Sequence, residues 1–220
     1  MRVNIAIDGP SGSGKSTLAR AIAQRFGIYY LDTGSMYRAV AYAAVQNSID
    51  ISNESEVEAF VSKLELQTQY SNGHQQNIYN GEDVMPHIRT PQISSAASDI
   101  SAYPCVRHKL VAMQREVAEN YDVVLDGRDI GTFVLPKAKH KFFVTAAVEE
   151  RAKRRFLELT CRGIDKDYDE VLNEMRIRDN NDSSRSLAPL KQADDAVLVD
   201  TTNMSIEEAI AFIMRRIEQE

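Results

Sequence analysis

The run Gly9-Pro10-Ser11-Gly12-Ser13-Gly14-Lys15-Ser16 constrains this chain more than any other stretch. It has the form G-x-x-x-x-G-K-[ST]. The apolar run Val3-Asn4-Ile5-Ala6-Ile7 precedes it, and a helical pattern follows from Thr17 through Leu18, Ala21, Ile22 and Phe26. A strand that feeds such a loop into a helix is the setting in which the motif has a mechanism. Gly9, Gly12 and Gly14 let successive backbone N–H groups turn inward on phosphate oxygens. The helix N-terminus adds partial positive charge at the same spot. Lys15 supplies a full charge for the β- and γ-phosphates, and the Ser16 hydroxyl is placed to ligate Mg²⁺. Gly9, Pro10, Ser11, Gly12, Ser13, Gly14, Lys15, Ser16 and Thr17 are therefore expected to cradle a nucleoside triphosphate such as ATP.

With 220 residues there is room for one elaborated domain, but little for two independent ones. No apolar run approaches the roughly 20 residues of a spanning helix. The short apolar segment at the start runs straight into the phosphate loop, which is not the pattern of a signal peptide. Cys105 and Cys161 are too few and too far apart for a disulfide framework, so both are expected to be reduced, as in the cytoplasm. The four histidines show no ligand spacing. A net charge of −6 argues against nucleic-acid and membrane partners. Yet Arg151, Lys153, Arg154, Arg155, Arg162, Lys166, Arg176, Arg178 and Arg185 crowd one stretch. A basic concentration in an acidic chain points to a small anionic ligand, with ion pairing to Glu149, Glu150 and Glu158 accounting for part of it.

Short β-like runs alternate with helical patterns along the chain. The runs at 3–7, 28–31, 123–125, 141–144 and 196–200 predict a parallel, doubly wound sheet, because longer helical patterns separate them. Residues 65–84 differ. Leu66, Thr68 and Tyr70 alternate with polar residues and Asn72-Gly73 signals a hairpin, so a small, mostly β insertion is expected. Residues 148–159 and 168–179 read as helices, the second ending in the helix-poor run Asp179-Asn180-Asn181-Asp182-Ser183-Ser184. Ser205 and Glu208 form a capping box for the last helix.

Ligands on such a sheet bind at the carboxyl ends of the strands. That rule gathers the phosphate loop, Asp32-Thr33-Gly34, Asp126-Gly127-Arg128-Asp129 and the loop after Val144. Asp126 fits a carboxylate that holds Mg²⁺ through water, although an Asp-Gly turn is an equal reading of that pair alone. Thr33-Gly34 opens a helix whose N-terminus could hold an acceptor phosphate, with Tyr37 and Arg38 in its first turns and Arg128 as a second cation. Arg151, Arg154 and Arg155 share one helix face and could close over a triphosphate to stabilise charge on the transferring group. Arg178, Asp182 and Arg185 share another, suited to sugar hydroxyls and a base edge. For any single arginine, surface ion pairing remains the competing reading.

The segments Gly9–Thr17, Leu31–Arg38, Asp126–Thr132 and Arg178–Arg185 together resemble bacterial cytidylate kinases, in order and over essentially the whole chain. The resemblance implies a P-loop kinase of α/β fold: a five-stranded parallel sheet flanked by helices, a small mostly β insertion in the monophosphate-binding region, and a helical lid. It implies one domain, with a core at about 1–32, 105–150 and 190–220, a monophosphate-binding region at 33–104 and a lid at 151–189. The implied reaction moves the γ-phosphoryl group of MgATP to CMP or dCMP. Carried over by position, Thr33, Tyr37, Arg38, Ser98, Arg107, Arg128, Asp129, Arg178, Asp182 and Arg185 line the CMP site. Arg38 and Arg128 would hold its phosphate, and Lys15, Asp126, Arg128, Arg151, Arg154 and Arg155 would serve the transfer. Ser16 stands where many relatives have Gly, which restores the hydroxyl expected on Mg²⁺. The implied enzyme is a cytoplasmic monomer with no nucleic-acid or membrane partner. Rival readings are a P-loop kinase for UMP, AMP or a non-nucleotide acceptor such as shikimate, and a regulatory ATPase.

Overall fold

The protein is described here by a computed structural model covering residues 2–219. In chain order the elements are β1 (Asn4–Asp8), α1 (Lys15–Phe26), β2 (Tyr29–Asp32), α2 (Thr33–Gln46), α3 (Glu54–Lys63), β3 (Leu66–Ser71), β4 (His74–Tyr79) and β5 (Glu82–Asp83). They continue with α4 (Pro91–Ile100), α5 (Pro104–Asn120), β6 (Val123–Gly127), β7 (His140–Thr145), α6 (Val148–Cys161), α7 (Tyr168–Ser184), β8 (Val197–Asp200) and α8 (Ile206–Glu218).

All five anticipated strands form one parallel sheet, in the order β2-β6-β1-β7-β8. Its register places Ile5 beside His140 and Phe142 beside Val197. The inner strands are buried along nearly their whole length, which is why they read as continuous apolar runs and not as alternation. Ile5, Ile7 and Leu125 are wholly buried, each contributing roughly 2 kcal/mol of transfer free energy.

The chain divides into two compact units, one of Val3–Ile28 with Val124–Glu220 and the other of Tyr29–Val123. In the first, α1 packs on α8, and the Ser205/Glu208 capping box is present as expected. Helices α6 and α7 form a hairpin with a small core of Ala152, Leu159, Val171 and Met175, sealed by Phe156 and Tyr168. In the second unit α2 packs on α4 and α5, and the expected β insertion is a three-stranded antiparallel sheet in the order β3-β4-β5. Asn72 and Gly73 both adopt positive φ (52° and 77°) at its hairpin turn, as an Asn-Gly pair permits.

One local reading is corrected and one open alternative is closed. Helix α7 does not end at Asp179 but runs on to Ser184. Tertiary bonds override the weak helix propensity of that run. Arg151 grips Asp179 at 2.6 Å, Arg128 grips Asp182 at 2.7 Å, and the Asp182 carbonyl accepts from Leu190 N at 2.7 Å. The Asp126-Gly127 pair is no turn either: β6 extends through Gly127, and a π-helical turn follows at Ile130–Val134.

Candidate active site

In the first unit the phosphate loop joins β1 to α1 as the motif requires. Gly9 has φ 145°, and a Cβ there would lie 1.9 Å from the Val144 carbonyl oxygen, so no other residue fits. Gly14 caps α1 in a left-handed conformation (φ 93°) and offers no side chain to its amides. Lys15 is buried and donates to Pro10 O at 2.6 Å and to Ser13 Oγ at 3.4 Å, so its ammonium lies folded against the loop it serves. Burial, and then the charge of Arg128, push its pKa down. An anion on the loop opposes that shift by restoring a counter-charge. Thr17 lies in the first turn of α1, its N–H on Gly14 O at 3.1 Å.

Ser16 Oγ donates to Asp126 Oδ2 at 2.7 Å, so the hydroxyl and the carboxylate singled out in the sequence are in contact. A hydroxyl and a carboxylate are hard oxygen donors of the kind Mg²⁺ takes alongside triphosphate oxygens and water. Arg128 Nε donates to Asp182 Oδ2 at 2.7 Å, and Arg185 pairs with Asp182 Oδ1 at 3.4 Å. Burial works against both charges, but the pairing outweighs it, holding Arg128 above and Asp182 below their ordinary values. Asp129 is buried beside them in sequence, and its carbonyl accepts from Phe133 N and Val134 N. Arg178 lies one turn before Asp182 on α7.

The three α6 arginines have different partners. Arg151, buried, donates to Ala146 O, to Ser11 O at 3.0 Å and to both carboxylate oxygens of Asp179. Arg154 binds Thr201 O at 2.8 Å, while Arg155 pairs with Glu158 at 2.8 Å. Of the three, among the described residues, Arg151 is the one bonded to the phosphate loop.

In the second unit Thr33 opens α2, and Tyr37 and Arg38 follow in its first turns. Arg38 pairs with Asp32 at 3.1 Å. Arg107 is wholly buried, with its guanidinium 5.7 Å from the centre of the Tyr37 ring. Ser98 sits on α4, its carbonyl accepting from Ser101 Oγ at 2.7 Å.

Three further residues, Asp8 in the first unit and Arg89 and Gln75 in the second, are not marked out by the sequence motifs. Asp8 ends β1 and accepts from Ile130 N and Gly131 N, both at 2.7 Å, anchoring the π-helical turn. Burial pushes its pKa up to about 7 against the pull of those two amides. A carboxylate closing a buried strand was a legible signal for it. Asp32, Arg89 and Gln75 form a network around the start of α2, and neither Arg89 in its connector nor Gln75 in its hairpin carried a local signal.

Comparison with known proteins bears on these geometries. The profile of the cytidylate kinase family matches residues 5–219. A cytidylate kinase of Caldicellulosiruptor bescii is 46% identical over 213 residues, 97% of this chain and 94% of that one. One from Bacillus thuringiensis is 45% identical over 97% of this chain and 95% of its own. Among solved structures, a shikimate kinase from Bacteroides thetaiotaomicron aligns over 99% of this chain and 97% of that one, at 13% identity and a TM-score of 0.49. A family match across residues 5–219 leaves one conclusion: the chain belongs to the cytidylate kinase family.

Proposed function

We propose that this enzyme transfers the γ-phosphoryl group of ATP to CMP or dCMP, giving CDP or dCDP and ADP. The observation that carries the reading is the family match over residues 5–219, with curated relatives named cytidylate kinase at 45–46% identity. In this reading an oxygen of the acceptor phosphate attacks the γ-phosphorus in line, and ADP leaves. Lys15 and the amides of Gly9–Thr17 stabilise the charge on the triphosphate. Mg²⁺, accompanying ATP, would be held by Ser16 directly and by Asp126 through water, and would supply positive charge to offset that of the β- and γ-phosphates. The contact between those two side chains supports this assignment.

Arg38 and Arg128 hold the acceptor phosphate, with Thr33 and Tyr37 lining its site. Ser98, Arg107 and Asp129 serve the base, and Arg178, Asp182 and Arg185 the sugar and base edge. Cytosine presents a donor at N4, where uracil presents an acceptor. A carboxylate such as Asp129 facing that position rejects UMP by leaving acceptors unpaired. The region 33–104 serves monophosphate binding and 151–189 is the lid. For Arg151, Arg154 and Arg155 to stabilise the transfer, they exchange Asp179, Thr201 and Glu158 for phosphate oxygens. The reading extends to a monomer in the cytoplasm, in keeping with two free cysteines.

ADP release from MgATP, measured with each nucleoside monophosphate and with none, tests the reaction. Strong turnover with CMP and dCMP, weak turnover with UMP and almost none without acceptor is expected. Equal release with and without acceptor would make the protein an ATPase instead.

A further inference from the structure

A partly buried polar network joins the β3–β4 hairpin to the start of α2, and one side chain makes most of the joints. Gln75 Oε1 accepts from Asp32 N at 2.8 Å. Its Nε2 donates to Ser35 Oγ at 2.9 Å and reaches Asp32 O at 3.4 Å. Asn77, wholly buried, donates to the same Ser35 Oγ at 3.0 Å. Ser35 closes the turn on itself, giving Oγ–H to Asp32 O at 2.6 Å and N–H to Asp32 Oδ1 at 2.8 Å. The carboxamide of Gln75 therefore spans both ends of the turn containing Thr33 and Gly34. A single amide group is suited to this because it donates and accepts at once.

The same turn sets where Asp32 puts its carboxylate, and that carboxylate gathers Arg38 at 3.1 Å and Arg89 at 3.0 Å. Two guanidinium groups around one carboxylate leave a net positive charge. Arg38 Nε is buried and makes no hydrogen bond among the described residues, a donor with capacity for a further anion. Building on the acceptor-side reading above, we propose that Gln75 is a positioning residue for the monophosphate. The β insertion acts on acceptor binding through this carboxamide, which fixes the Asp32 turn and with it the direction in which Arg38 presents its guanidinium.

The test is steady-state kinetics of Gln75→Leu and Gln75→Glu, with Arg38→Ala as a control and thermal midpoints for all. Leucine keeps the bulk and loses both polar functions. It should raise KM for CMP about five- to tenfold, as expected for buried hydrogen bonds lost, with KM for ATP within about twofold of wild type. Gln75→Glu keeps an acceptor for Asp32 N but removes the donor to Ser35 and adds negative charge. It should raise KM for CMP at least as far, with an excess that shrinks as salt is added. If Arg38→Ala raises KM for CMP and Gln75→Leu does not, Gln75 is only a brace for the hairpin and the proposal fails alone. If Arg38→Ala leaves KM for CMP unchanged, the acceptor-side reading falls and this proposal with it. Parallel rises in both KM values with a lowered midpoint would mean general loosening, and would also overturn it.

Discussion

Helices α1 and α2 both begin where a strand of the main sheet ends, yet their N-termini are finished in opposite ways. Gly14 leads into α1 with no side chain, so the cap residue supplies no anion to the first amides. Asp32 leads into α2 with a carboxylate that accepts from Ser35 N and holds two arginines. An uncapped helix end attracts a phosphate; a capped one has its partial charge already answered. The sequence reading treated both ends as candidate phosphate seats. The geometry distinguishes a seat built from backbone from a turn that organises side chains. On the α2 side, the groups gathered at the turn are the guanidinium groups of Arg38 and Arg89.

The contrast can be broken, and the largest effect is expected on the backbone-built side. Lys15→Ala should lower kcat on the order of 100- to 1,000-fold while changing KM for ATP only a few-fold, because the lysine charge matters most as charge shifts in transfer. Steady-state kinetics decide it, and a change confined to KM would contradict the role. Next in size, Asp129→Asn should narrow the CMP-over-UMP preference in kcat/KM by roughly 10- to 100-fold. Unchanged discrimination would remove Asp129 from base recognition.

Asp32→Asn sharpens the comparison most directly. Asparagine caps a helix about as well as aspartate, so the thermal midpoint should shift little. It cannot hold two arginines by charge, so KM for CMP should rise about tenfold. If only stability changes, Asp32 is a cap and nothing more. The smallest effect concerns Asp182: burial pushes its pKa up, but Arg128, Arg185 and Arg178 together outweigh that and hold it below the usual carboxylate value. A depressed pKa gives stability that is present above the unfolded value of 3.8 and lost as pH falls through the folded one. The stability gap between wild type and Asp182→Asn should therefore hold at neutral pH and close in acid, as acid unfolding curves would show.

The same contrast explains how much could be read from the sequence. A backbone-built seat needs particular residues at particular positions: Gly9 because Val144 O leaves no room for a Cβ, Gly14 because φ is positive. Such demands write themselves into a motif. The strands were legible for a similar reason, since burial on two faces leaves unbroken apolar runs. Partnerships between side chains leave no such mark. Nothing local announced that Gln75 would clasp Asp32 across 43 positions, or that Arg128 would reach Asp182 across 54. Those bonds also explain the misread end of α7: its last turn is held by residues remote in sequence, which outweigh local preference.

Arg151 has one more consequence. Its single guanidinium ties α7, through Asp179, to the carbonyl of Ser11 in the phosphate loop. A Cβ on Gly12 of that loop would meet Met175 Cε at 3.0 Å, so the α6–α7 hairpin lies directly against it. Backbone amide exchange in α7 is therefore an isotopic gauge of what the loop holds. A triphosphate on the loop that draws Arg151 away from Asp179 will alter deuterium uptake along α7.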